Sequence, residues 1–187
     1  MSLILGVDPA RLGQDNTALI IVETGEINKV IFIKELSKYT LDKTAEYIIY
    51  LHNKYKFSKI IIDQTGLGAG LLDFLSRKFN VPKEINQTNY KQSYVSNDVI
   101  IGMTFTIETK MAMFGSLKLL MEQGKIKIPN HIKLIYQLKD FRYEISKTSD
   151  RLIKLHHSQG GHDDLVDALV LAIHGANRNK ELSFFFG

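Results

Sequence analysis

Leu3-Ile4-Leu5-Gly6-Val7-Asp8 is the stretch that decides the fold. Its apolar run has no polar interruption and ends on a carboxylate, as a strand buried on both faces does. Pro9 to Asn16, with Gly13 and Asp15, reads as a turn. Two more strands, Thr17–Glu23 and Lys29–Leu36, flank Thr24-Gly25-Glu26, a hairpin signal. The opening third is therefore expected to be a three-stranded antiparallel meander.

From Leu41 the period changes. Leu41, Ala45, Ile48, Ile49 and His52 fall on one helical face, with Thr40 placed to cap it. Lys59-Ile60-Ile61-Ile62-Asp63 is a β-branched strand that again ends in a carboxylate. A strand-helix-strand return is parallel and right-handed, so Asp8 and Asp63 are expected side by side at one edge of the sheet. Ligand sites in such sheets form at the carboxyl ends of the strands.

Further along, Gly66, Gly68 and Gly70 punctuate a turn, and a helix is expected from Leu71 to Phe79. Val81 to Thr88 reads as a short strand. Ile107 to Gln123 reads as an amphipathic helix stopped by Gly124, Ile126 to Pro129 as a short edge-type strand, and His131 to Asp140 as a helix. Arg142–Ile145 and Leu152–Leu155 read as a hairpin. Gly160-Gly161-His162 breaks the chain before a last helix, Asp163 to Ala176. Residues 1–177 form one expected α/β domain: a central mixed sheet, the meander plus parallel strands, flanked by helices. Residues 178–187 form a polar and aromatic tail.

Composition narrows the chemistry. The 187 residues are 44% hydrophobic and 24% charged, enough to bury a core. The absence of cysteine rules out a disulfide scaffold, a thiol nucleophile and a Cys-ligated zinc. No apolar run is long enough to span a membrane, and Met1-Ser2-Leu3 lacks the pattern of a signal peptide. A soluble, intracellular chain is the expectation. The abrupt start on a strand suggests a domain of a longer chain. The net charge of +4 rests on 19 Lys and 5 Arg, which suits phosphate neutralisation more than base reading.

The acidic signal continues in His162-Asp163-Asp164-Leu165-Val166-Asp167-Ala168-Leu169. Asp163 stands where an N-cap belongs, Asp164 and Asp167 share a helical face, and Leu165, Leu169 and Ala172 form a core-facing stripe. An acidic first turn also complements the helix dipole, so capping competes with metal ligation as the reading. Three acidic element ends in one α/β chain favour a metal site. Carboxylates from separate elements are hard oxygen ligands suited to two Mg²⁺ or Mn²⁺ ions. Asp15 and His162 are accessory positions, and Asp15 also suits an Asx-type turn. His156 and His157 read as surface histidines. Lys139, Arg142, Lys147, Arg151 and Lys154, with Tyr136, Phe141 and Tyr143 among them, can track a phosphate backbone or form a solvated face. Met103, Met111, Met113 and Met121 read as core filler.

These residues resemble a known family. Leu5-Gly6-Val7-Asp8-Pro9-Ala10 with Gly13 and Asp15, then Ile61-Ile62-Asp63 with the Thr65–Gly70 loop, then His162 to Leu169, look like the nuclease domain of the large terminase subunit of tailed bacteriophages. Phe141-Arg142-Tyr143-Glu144 leading to Leu155 looks like the family's basic hairpin. The resemblance implies an RNase H-like fold and a metal-dependent endonuclease that cuts concatemeric viral double-stranded DNA during packaging. It implies Asp8 and Asp63 as the first two metal-binding carboxylates and a third in Asp163-Asp164, with Asp167 as a further acidic position. Asp164 is preferred because it shares a face with Asp167. The implied partners are DNA, an N-terminal packaging ATPase domain, the portal and the small terminase subunit, in the cytoplasm of an infected or lysogenic host cell. No Gly-x-x-x-x-Gly-Lys-[Ser/Thr] occurs, so these residues encode no such motor.

Competing classes are another RNase H-like nuclease (a junction resolvase or an RNA–DNA hybrid nuclease), an actin-like ATP-binding fold, and a nucleic-acid-binding module without catalysis. Two actin-like halves need more residues than this chain has.

Overall fold

β1 (Leu3–Asp8) runs through the interior of an eight-stranded sheet. The computed structural model describes residues 1–10, 16–79, 84–86, 93–96, 99–140, 142–145, 153–156 and 163–184. On one side β1 pairs antiparallel with β2 (Thr17–Glu23), which pairs antiparallel with β3 (Asn28–Leu36). The meander is therefore as expected. On the other side β1 pairs in parallel with β4 (Lys59–Asp63), after a crossover through α1 (Leu41–Tyr55). The register sets Val7 opposite Ile62, so the next residues, Asp8 and Asp63, end adjacent strands.

α2 (Gly68–Lys78) follows β4. It starts three residues before the position expected from the glycines, so Gly68 and Gly70 are helical residues and not part of a loop. A Cβ at Gly68 would lie 1.7 Å from the carbonyl oxygen of Asp63. Glycine is what lets the helix begin directly against the end of β4.

The expected strand at Val81–Thr88 is β5 (Glu84–Asn86), followed by β6 (Ser93–Ser96) and β7 (Ile100–Met103). Neither β6 nor β7 was legible, because four-residue strands beside a polar stretch give no period to count. β7 nonetheless pairs in parallel with β4 and sets Met103 opposite Asp63. The sheet order is β5-β6-β7-β4-β1-β2-β3-β8, with β8 (Ile126–Lys127) as the short edge strand. α3 (Ile107–Glu122) and α4 (Ile132–Asp140) lie near the expected bounds. β9 (Arg142–Ile145) and β10 (Ile153–His156) form the expected hairpin as a separate two-stranded sheet.

α5 (Asp164–Phe184) runs beyond Ala176, where the sequence pattern placed its end. Thr40 stands at the N-cap position of α1 but makes no side-chain capping bond. Met103 and Met113 are buried, whereas Met111 and Met121 are exposed, so only two of the four methionines fill core.

The sheet divides the core in two. On one face α1 and α2 cover Leu5, Val7, Leu19, Ile21, Ile60 and Ile62. On the other α5, with α3 and α4 outside it, covers Ile4, Ile20, Val22 and Ile61. Every apolar α5 residue from Leu165 to Ile173 is fully buried, and burying one such large aliphatic side chain stabilises the fold by about 1.5–3 kcal/mol. A Cβ at Gly6 would lie 2.0 Å from the Ala168 carbonyl oxygen and 2.7 Å from the Ala172 nitrogen. Gly6 thus lets α5 lie directly on β1, which brings the first turn of α5 to the end of that strand.

Candidate metal centre

Three elements deliver carboxylates to one end of the sheet. β1 ends in Asp8, β4 ends in Asp63, and α5 opens with Asp163 just before it, then Asp164 and Asp167. The carboxylates act on one another's charge. Burial pushes the Asp8 carboxyl well above the ordinary range, and the negative charges of Asp167, Asp63 and Asp164 push it further, against Lys110. Burial also raises Asp63, although hydrogen bonds from Thr65 and the Lys110 charge oppose it. The Thr65 N–H donates to Asp63 Oδ1 at 2.8 Å. Asp167 is 4% exposed, and burial pushes it up to about 7, with Lys110 opposing.

Lys110 has no place in any motif of the sequence, and it sits at the centre of this cluster. Its Nζ donates to Asp167 Oδ2 at 2.6 Å, lies 3.7 Å from Asp163 Oδ2, and stands 4.7 Å from the centre of the Phe105 ring. Burial disfavours its charge, but Asp167, Asp163 and Asp8 outweigh that, and its pKa is raised. A sequence signal was available. Lys110, Met113 and Leu117 lie on the i, i+3, i+7 line of α3, and both apolar members are buried. A lysine on a buried stripe requires a partner.

The neighbouring polar groups hold the frame. The Gln64 N–H donates to the Met103 carbonyl at 2.9 Å, and Gln64 Nε2 donates to Thr104 Oγ1 at 2.7 Å, which ties the end of β4 to that of β7. The Leu165 N–H donates to Gln137 Oε1 at 3.2 Å. A side chain from α4 thus serves one of the unpaired first-turn donors of α5.

This donor set fits divalent cations. Lys110 interacts with Asp167, Asp163, Asp8 and Asp63, Asp164 adds its charge at Asp8, and Asp167 Oδ1 is buried without a hydrogen-bond partner among the described residues. Among those residues, however, no three acidic or histidine groups close on one point as a ready-made cage. The charge imbalance is the better guide, because hydrolytic Mg²⁺ sites use few protein ligands and keep water positions open. The hard oxygen donors suit Mg²⁺ or Mn²⁺.

Other sequence-derived positions fall elsewhere. Lys139 is exposed on α4. Arg142 and Lys154 belong to β9 and β10, which are paired so that Lys154 faces Glu144 and His156 faces Arg142. β10 lies against α3, the helix that carries Lys110. Asp15, His162, Lys147 and Arg151 lie outside the described residues, as do Phe141 and His157.

The mixed sheet, with acidic ends on β1, β4 and α5, defines the RNase H-like class. The chain matches the family described as "Terminase RNaseH-like domain" over residues 5–175 and belongs to it. It is 23% identical over 153 residues to the large terminase subunit of Thermus virus P23-45, covering 81% of this chain and 27% of that protein. It is 25% identical over 124 residues to the large terminase subunit of Thermus phage G20c, covering 65% of this chain and 21% of that protein. The chain thus spans about a quarter of the length of the curated relatives it matches. The fold is similar to the G20c large terminase nuclease solved with bound magnesium, with a TM-score of 0.74, 18% identity, and coverage of 92% of this chain and 80% of that one. The nuclease domain of the large terminase subunit of bacterial virus Sf6 matches with a TM-score of 0.66 at 14% identity, over 93% of this chain and 88% of that one.

Proposed function

We propose that this chain is the nuclease domain of a phage large terminase: a metal-dependent endodeoxyribonuclease that cuts concatemeric viral double-stranded DNA during packaging. The observation that carries the reading is the meeting of Asp8, Asp63 and the Asp163/Asp164/Asp167 turn at one end of the sheet. Asp8, Asp63 and Asp164 are the proposed catalytic ligands, with Asp163 and Asp167 as further ligands and Asp15 and His162 as accessory positions. Two Mg²⁺ or Mn²⁺ ions are the proposed cofactors, and such ions supply an activated water and stabilise charge on the leaving oxygen.

The chain's own groups prepare that chemistry. Parallel pairing of β1 and β4 fixes the first two carboxylates. Gly6 fixes the distance of the third element from them. The Thr65 N–H holds one rotamer of Asp63. Burial keeps bulk water from competing for the carboxylates and so strengthens every charge interaction at the site.

Lys139, Arg142, Lys147, Arg151 and Lys154 are proposed to neutralise DNA phosphates. The family's packaging ATPase domain, the portal and the small terminase subunit are the proposed partners, and the host cytoplasm is the proposed location. Among the described residues no helix is long and apolar enough to cross a membrane.

Incubation with supercoiled plasmid tests the reading. Mn²⁺ or Mg²⁺ should convert it to nicked and linear forms, and EDTA should stop the reaction. Cutting that persists in excess EDTA, with contaminating nucleases excluded, would overturn the metal mechanism. Junction and RNA–DNA hybrid substrates should be cut no better than duplex.

A further inference from the structure

Lys110 is a cation placed where a cation is needed. It comes from α3, outside every acidic motif, yet its ammonium bonds Asp167 Oδ2 at 2.6 Å and lies 3.7 Å from Asp163 Oδ2. Its side chain is only 22% exposed, and the Phe105 ring stands 4.7 Å from Nζ, where its face favours a cation. The site therefore already holds one positive charge among carboxylates that fit divalent ions. A bound cation and a paired ammonium draw on the same carboxylate electrons.

We propose that Lys110 is a resident counter-ion that competes with divalent metal for Asp167 and Asp163, and so sets the metal affinity of the site. Lys110 acts through the carboxylates and is a positioning residue. In the metal-free state it ties α3 to the first turn of α5 and offsets part of the carboxylate repulsion. When metal binds, the carboxylates exchange ammonium for metal, and Nζ is released from Asp167. The cost of that exchange lowers the apparent affinity for metal. This keeps the ions weakly held unless a further anionic group, such as a phosphate of the substrate, joins them. The inference rests on the proposed metal-binding reading of the cluster.

Calorimetric titration with Mn²⁺, without DNA, tests it on wild type, Lys110→Met and Lys110→Arg. Removing a unit charge a few ångströms away should tighten Mn²⁺ binding by about tenfold in Lys110→Met. Lys110→Arg keeps the charge and should stay near wild type. Unchanged or weaker binding in a folded Lys110→Met variant overturns the proposal. Should that variant not fold, wild type alone decides. Its lysines, reductively methylated with ¹³C, should show the Lys110 resonance moving as Mg²⁺ is added, in step with binding. A Lys110 signal that stays fixed while metal binds overturns the proposal equally. If wild type binds no metal by either method, the metal-site reading itself fails, which is a different result from equal binding by wild type and Lys110→Met.

Discussion

The two faces of the sheet are covered by different kinds of helix. α1 and α2 are ordinary amphipathic helices, with one buried stripe and one wet face. α5 is buried all round from Leu165 to Ile173, pressed between the sheet and the α3/α4 layer. The chemistry lies on the α5 side. A helix enclosed on every side can hold Asp167 at 4% exposure, whereas α1 turns Asp42 and Glu46 to water. The α1/α2 face supplies stability, and the α5 face exchanges some stability for a cluster of like charges.

That contrast can be broken first at the carboxylates. Asp8→Asn and Asp63→Asn should each abolish plasmid cutting with Mn²⁺ while the fold persists. In EDTA each should melt higher than wild type, by roughly 2–4 °C for every kcal/mol of repulsion relieved. Retained cutting by either variant removes that residue from the catalytic set. A lower melting temperature shows that repulsion is not what burdens this face.

A comparison of packing variants comes next. Gly6→Val forces β1 and α5 apart and should cost about 3 kcal/mol or more in urea unfolding. The folded fraction should bind Mn²⁺ more weakly, because the first turn of α5 moves from Asp8. Ile48→Ala, on the α1 side, should cost about 2–5 kcal/mol and leave Mn²⁺ affinity per folded molecule unchanged. Equal affinities in the two variants would show that the Gly6 contact does not position the site.

The pH dependence gives a smaller effect with a definite sign. Asp167 is raised to about 7 in the folded state, against about 3.9 when unfolded. The folded state therefore binds the proton more tightly. Its contribution favours folding below the unfolded value and is lost as pH rises from about 4 through 7. Calorimetry in EDTA should show wild-type melting temperature falling across that window more steeply than that of Asp167→Asn. Parallel curves would mean that the Lys110 pair keeps Asp167 ionised throughout.

The smallest effect concerns the basic hairpin, whose connection carries Lys147 and Arg151. Replacing both with Ala should weaken binding to all duplexes alike and make the salt slope shallower by about one unit per lost phosphate contact. Cutting at saturating DNA should fall less than cutting at low DNA. A slope that does not change would place the DNA elsewhere on the surface.

The sequence alone predicts the meander, the parallel return to β4 and the two strand-end aspartates. Apolar runs, a hairpin turn and the handedness of crossovers are local or topological constraints. It also marked the acidic turn before Leu165, because caps and helix faces follow fixed spacings. That α2 begins at Gly68 rather than after Gly70 comes from packing, because the reason is the carbonyl of Asp63 and not the local composition. β7 became legible only as the partner of β4. Above all, only the fold brought Lys110 to Asp167, 57 residues away. An ion pair between two helices leaves no spacing in the chain. What decides it is that Gly6 lets α5 sit on β1 while α3 packs outside α5, and the buried carboxylate then pairs with the ammonium of Lys110 that this packing carries to it.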